Sequence, residues 1–273
     1  MNLKYILPRL VRHFLPSKAV RSLLRHGWII RPGLETASPI QAVDRYQNAL
    51  SDGGFSLSGK RVMVFGYGGN FAIACGLIEA GAGHVTLSDK YAPPDETANR
   101  ALLPQYSRYL SVAGEQVQPR PEFIVLLDGD IRDIAASRPV LPFDIILSNS
   151  VFEHLDDVQG TTQALAKLTA PGGCQLHFID LRDHYFRYPF EMLTFSQDVW
   201  LKWLNPGSNL NRYRLKDYEQ VFEQYFGVID LTILRQDREA FEQARGRIRP
   251  EFLSGEPDID SATLIHLLAS NPI

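Results

Sequence analysis

The sequence predicts an α/β fold: a doubly wound, mostly parallel sheet with helices on both faces. Three observations lead there. Short, continuous apolar runs recur from Lys60 onward, and such strands belong to a sheet covered on both sides. Segments of helical spacing separate them, the alternation that builds strand-helix-strand units. A glycine-rich turn, "GYGG", follows the first run "RVMVF" directly, where such a sheet turns from strand into helix.

Taken in order, residues 38–51 ("SPIQAVDRYQNAL" and Ser51) read as an amphipathic helix ending near Gly53 and Gly54. "RVMVF" is the first strand, "FAIACGLIEA" a helix closed by Gly81, and "HVTLS" the second strand. "FIVLL" and "FDIILS" are two more, and "GGCQLHFID" follows the turn signal "APGG" at Ala170 to Gly173. Between these, Val158 to Leu168 has helical spacing. Past Asp180 the chain becomes rich in aromatic residues, which predicts a cap over about 181–214. Leu215 to Tyr225 reads as a helix, Val228 to Leu234 and Ala262 to Leu268 as strands, and the Pro and Gly content of 245–257 as a loop between them. The organisation is a helical extension over 1–54 and a main domain over 55–273 that contains the cap. There is no internal repeat and no low-complexity segment.

The chain has 273 residues, 45% hydrophobic and 22% charged, enough to bury a substantial core. A net charge of -3 gives no reason to expect a nucleic-acid partner. The charge is uneven: residues 1–34 carry seven basic side chains and no acid, leaving 21 basic against 31 acidic in the rest. Leu10, Val11, Phe14, Leu15, Val20, Leu23, Leu24 and Trp28 interleave with those arginines. This basic amphipathic arm suits an anionic membrane surface, the acidic body of the same chain, or a homodimer partner. No uninterrupted apolar run is long enough for a membrane span or a signal-peptide core, and Cys75 and Cys174 have no metal-ligand spacing, so a reduced cytoplasmic setting is expected.

The glycine turn asks what it holds. Gly66 and Gly68 allow tight curvature and close ligand approach, and Asp89, ending the second strand, is placed to accept hydrogen bonds from paired ribose hydroxyls. A dinucleotide fingerprint needs a third glycine or alanine where this chain has Phe71, which crowds a pyrophosphate. A cofactor with ribose but no phosphate has no such need. The structural alternative is a plain strand-to-helix turn, with Asp89 as a helix cap and Asp130 as a turn former.

With "GYGG", the acid of "LSD", the acid of "DGDI" and "FDIILSNSVFEHLDD" at Phe143 to Asp157, the sequence resembles the Rossmann-like class I S-adenosylmethionine-dependent methyltransferases, over roughly Lys60 to Asp180. "HFIDLRDH" further resembles a segment of those that act in bacterial glycan and small-molecule biosynthesis. The resemblance implies a seven-stranded sheet and S-adenosylmethionine as cofactor. By position, Gly66, Tyr67 and Gly68 would line its methionine part, Asp89 its ribose, Asp130 and Ile131 its adenine, and Asn149 its amino-acid end. Two departures stand out: Val64 where the family usually has an acid, and Asn70 in place of a frequent glycine.

Methyl transfer to a hydroxyl needs in-line alignment and a base. His154 and His184 follow strand ends on the ligand side and are the candidates, with Asp183 or Asp180 orienting His184. For His154, packing beside the cofactor is the stronger alternative. Tyr185, Arg212 and Arg214 are the expected substrate contacts, although the cap aromatics also have the spacing of a packed helix. Oxygen ligands from Asp180, Asp183, Asp156 or Asp157 have no diagnostic spacing, so no metal site is expected. The expected activity is O-methylation of a small molecule, sugar or glycan intermediate. The alternatives are a nicotinamide-dependent oxidoreductase and a non-catalytic protein that uses the fold to bind a partner.

Overall fold

The structure, a computed structural model, describes residues 3–14, 38–137, 139–185, 187–207 and 209–273. The arm's Leu15, Val20, Leu23, Leu24 and Trp28 lie outside them. In chain order the strands are β1 (Arg61–Phe65), β2 (His84–Asp89), β3 (Leu110–Ala113), β4 (Gln116–Pro119), β5 (Ile124–Asp128), β6 (Phe143–Asn149), β7 (Thr169–Asp180), β8 (Phe226–Gln236) and β9 (Ala262–Pro272). The main helices are α1 (Leu3–Phe14), α2 (Pro39–Asp52), α3 (Ala72–Glu79), α4 (Glu96–Tyr106), α5 (Ile131–Ser137), α6 (Val158–Leu168), α7 (Leu215–Phe222) and α8 (Arg238–Arg245).

Seven strands form one sheet in the order β5-β2-β1-β6-β7-β9-β8. The first five are parallel to their neighbours, and β9 runs antiparallel between β7 and β8. The chain leaves β1 toward β2 and β5 on one side, then returns to β6 on the other. The order therefore reverses between β1 and β6, and the crevice beyond their carboxyl ends is where this topology binds ligands.

Strand alternation explains the two-sided core. In β1, Val62 and Val64 face one way, into a cluster with Tyr46, Leu50, Ile73 and Leu77 from α2 and α3. Met63 between them faces the other, with Phe152, Leu165 and Phe222. All three β1 residues are fully buried, each burial contributing roughly 1.5–3 kcal/mol of hydrophobic stabilisation. Helix α2 belongs to this core: a Cβ at Gly76 of α3 would sit 2.9 Å from Val43, so the two helices approach closely.

A third, smaller core lies under the cap. Phe190, Trp200, Leu204 and Leu210 pack with Phe241, Ala244 and Ile248, and Ile6 and Leu10 of α1 join them. The basic segment Leu3–Phe14 thus docks on the chain's own cap. Four elements are additions to the sequence reading: α4, the antiparallel β3–β4 pair, α5, and α8, which with a short 3-10 turn at Pro250–Phe252 occupies much of the connection between the last two strands.

Candidate active site

The glycine turn is held by side chains distant in sequence. Gly66, Gly68 and Gly69 all have positive φ, at 80°, 69° and 88°. At Gly66 a Cβ would lie 2.3 Å from Cγ2 of Val151, the residue leading into the turn after β6, so glycine is what lets β1 and β6 close at the switch point. At Gly69 a Cβ would lie 2.4 Å from the Pro93 carbonyl. Asn99, fully buried on α4, pins the loop from inside: its Oδ1 accepts from Phe71 N at 2.8 Å and its Nδ2 donates to the Gly69 carbonyl at 2.9 Å. Asn70 accepts from Ala72 N and so serves the start of α3. Tyr67 stacks near Phe71 inside the core.

Asp89 ends β2 beside this turn. Its Oδ2 accepts from Gly68 N at 3.1 Å, and its Oδ1 accepts from Tyr91 N and Ala92 N. Three backbone donors hold the carboxylate still, and its oxygens retain lone pairs for a hydroxyl donor. The buried Tyr67 Oη near it has no hydrogen-bond partner. Burial, with Asp128 and Asp89 nearby, pushes the Tyr67 phenol up to about 12, so it stays a donor. Asp130 is clasped by Arg132, which donates Nε to Oδ1 and Nη2 to Oδ2, while Lys90 donates to Oδ2; the Arg132 bonds come first in holding this carboxyl far below its usual range. Ile131 beside it is buried, and Asn149 is buried at the end of β6.

The second half of the site follows β6. Ser150, at φ 55°, turns the chain sharply into the 3-10 turn Phe152–His154. Cap asparagines fasten that turn. Asn211 N donates to the Glu153 carbonyl and its Nδ2 to the Phe152 carbonyl, while Asn209 Nδ2 donates to the His154 and Leu155 carbonyls. His154 Nδ1 lies 2.8 Å from the Asn209 carbonyl, which can only accept, so Nδ1 carries the proton. His184, from the loop after β7, packs edge-on against His154 with ring centroids 4.7 Å apart. Burial first, then His154, lowers its pKa to about 4, making it neutral near pH 7.

Glu153 faces the same point. It is buried, and neither carboxylate oxygen makes a well-formed hydrogen bond, although the Ser150 hydroxyl and the Glu153 and Asp180 backbone N–H groups stand near it. Burial, with Asp180 adding repulsion, raises its pKa well above the ordinary value.

The remaining expected residues have well-defined places. Asp180 is engaged by Arg182, which donates its backbone N, Nε and Nη2. Asp183 is fully buried and accepts from Tyr5 Oη, Arg9 and Tyr185 N, so it anchors α1. Arg214 is buried and donates to the Leu181, Asp260 and Ala262 carbonyls; Arg212 donates to the Met192 and Phe195 carbonyls and to Gln197. Burial lowers both guanidinium pKa values to about 10, so both stay charged while bracing the cap. Tyr185 is 38% exposed and stacks on Tyr188. The structure thus gathers Gly66, Tyr67, Gly68, Asp89 and Asn149, and separately His154 with His184, at one sheet edge, and gives Asp183, Arg212 and Arg214 to the cap's framework. Sequence reasoning missed Asn99, Glu153, Asn209 and Asn211; only Glu153 had a signal, in "FEHL".

Residues 78–176, from the end of α3 into β7, match the family model described as a methyltransferase domain. The chain carries a methyltransferase domain. S-adenosylmethionine is the cofactor of this class, and the residues present fit it: a glycine turn with no room for a Cβ at Gly66 or Gly69, the held carboxylate of Asp89, and the unpartnered hydroxyl of Tyr67. Among solved structures, the fold is similar to a putative sarcosine dimethylglycine methyltransferase from Galdieria sulphuraria, with 12% identity, a TM-score of 0.52, and coverage of 93% of this chain and 97% of that one. It is also similar to phosphoethanolamine N-methyltransferase 2 from Haemonchus contortus in complex with S-adenosylmethionine, with 13% identity, a TM-score of 0.50, and coverage of 84% of this chain and 53% of that one. At these identities the likeness is one of fold. No curated protein matches the sequence.

Proposed function

We propose that the protein transfers the methyl of S-adenosylmethionine to a hydroxyl oxygen of a small molecule, sugar or glycan intermediate. The observation that carries the reading is the meeting of neutral His184, His154 and Glu153 beyond β6 and β7, on the edge that also bears the glycine turn and Asp89. The bound sulfonium supplies an electrophilic methyl group. What remains for the protein is to bind it, align the acceptor oxygen, and receive the proton that a hydroxyl loses.

In this reading Gly66, Tyr67 and Gly68 line the methionine end, Asp89 holds the ribose, Asp130 and Ile131 border the adenine, and Asn149 lies by the amino-acid end. Val64 is buried in β1, so the cofactor's amino group finds its partner elsewhere. Tyr185 and Tyr188, stacked on each other at the rim of the cap, offer a flat face to a sugar or ring. Helix α1 braces this cap, which favours the arm's role on its own chain over a membrane role. Among the described residues, no helix is long and apolar enough to cross a membrane.

The test is a panel of polyols, sugars and phenols with methyl-labelled cofactor, the product being analysed by mass spectrometry. Label in an ether supports the proposal. Label only on nitrogen or carbon acceptors refutes it.

A further inference from the structure

We infer that Glu153, His154 and His184 form a binding site for a divalent transition-metal ion. Among the described residues these three alone bring potential metal-ligating atoms from three side chains together, all within 4.8 Å of one another. Two atoms bound to one ion at about 2.1 Å are at most about 4.2 Å apart, so a small inward rotation of the rings closes the site.

The donor set has the chemistry such an ion prefers. Two imidazoles and one carboxylate suit zinc, iron, cobalt or manganese better than calcium, which takes six or more oxygens. The Asn209 carbonyl bonded at His154 Nδ1 fixes the tautomer with the lone pair on Nε2, the outer-shell contact that metal-binding histidines commonly make. Asn209 and Asn211 hold the Phe152–His154 turn rigid through its carbonyls, so two of the three ligands sit on a fixed frame.

The second, independent observation is Glu153. Its side chain is buried and neither oxygen makes a well-formed hydrogen bond, with only the Ser150 hydroxyl and the Glu153 and Asp180 backbone N–H groups near it, an arrangement that costs several kcal/mol for a carboxylate unless a cation or proton meets it. The nearby cations are committed elsewhere: Arg182 to Asp180, and Arg214 to backbone carbonyls. A metal ion satisfies the carboxylate, and with three protein ligands it keeps open positions for water or an acceptor oxygen. Asp180 and Asp183, the acids that the sequence offers most readily, are occupied by Arg182 and by Tyr5 with Arg9. The inference deepens the proposed function, since it states in what form the cluster would meet the acceptor, and rests on that reading only for the ion's role.

The experiment uses full-length protein stripped with a chelator. Co2+ is titrated while visible absorption is followed, and Zn2+ by calorimetry, for the wild type, Glu153→Gln and His184→Ala. One ion per chain is expected, with at least tenfold weaker binding in each variant. S-adenosylmethionine titration of the same samples should change less than twofold. No stoichiometric binding by the wild type, or equal binding by both variants, overturns the site. If Glu153→Gln fails to fold, His184→Ala, at a partly exposed position, decides the matter. Loss of cofactor binding in the wild type with metal binding intact would instead refute the methyltransferase reading and leave the metal site standing.

Discussion

Replacing Gly66 by alanine tests whether the close approach of β1 and β6 shapes the cofactor crevice. The new Cβ faces two penalties. Backbone at φ 80° costs an L-residue about 1–2 kcal/mol. The Cβ also lands 2.3 Å from Cγ2 and 3.1 Å from Cγ1 of Val151, an overpacking that costs about 1–3 kcal/mol. Together they predict a loss of roughly 2–5 kcal/mol, or a melting temperature lower by roughly 4–20 °C for a domain of this size. The penalties separate in a double-mutant cycle. Val151→Ala removes both Cγ atoms and leaves its Cβ 3.3 Å from the alanine methyl at residue 66, a tight but tolerable contact. Gly66→Ala should therefore cost about 1–3 kcal/mol less in the Val151→Ala background, with the backbone penalty remaining. Urea melts of the four proteins measure this coupling. Strict additivity would refute the contact, and a Gly66→Ala protein as stable as wild type would refute the whole argument.

Asn99→Ala should leave the Phe71 N–H and Gly69 carbonyl without their buried partner, lowering stability by about 2–4 kcal/mol in urea melts. Arg9→Ala strands the buried Asp183 carboxylate and should cost about 3–5 kcal/mol, with α1 becoming susceptible to limited proteolysis. His177 is buried between Ser148 and Gln175, and burial lowers its pKa to about 3. Because its folded pKa is below the unfolded value of about 6.5, its stabilising contribution is complete above that pH and falls as pH drops toward 3, by at most about 1.4 kcal/mol per pH unit. An NMR titration should accordingly show His177 neutral throughout pH 5–8, and a midpoint near 6.5 would contradict its placement.

The parts legible in the sequence are those governed by local period. β1, α3 and β2 announce themselves because Val62, Met63 and Val64 are all apolar for a strand buried on both faces, with glycine punctuation after them. α4 was hidden by Pro104 and by a mostly polar face, since only Asn99 and Tyr106 are buried along it. β3 and β4 are only four residues each and bury little. At the site, the glycines and Asp89 could be found from spacing. Asn99, Asn209 and Asn211 could not, because an asparagine's role is set by partners 28 to 59 residues away. The roles of Asp183, Arg212 and Arg214 were misleading for the same reason: charged residues beside a catalytic motif suggest substrate, and only the fold shows Tyr5 and Arg9 reaching Asp183 from across the chain.

The most direct test of the central claim is calorimetric titration of the full chain with S-adenosylmethionine and, separately, with NAD(H). Saturable binding of one S-adenosylmethionine per chain, weakened at least tenfold by Asp89→Ala, is the result that the glycine turn and its held carboxylate predict. No heat with S-adenosylmethionine, together with clear binding of NAD(H), would contradict it.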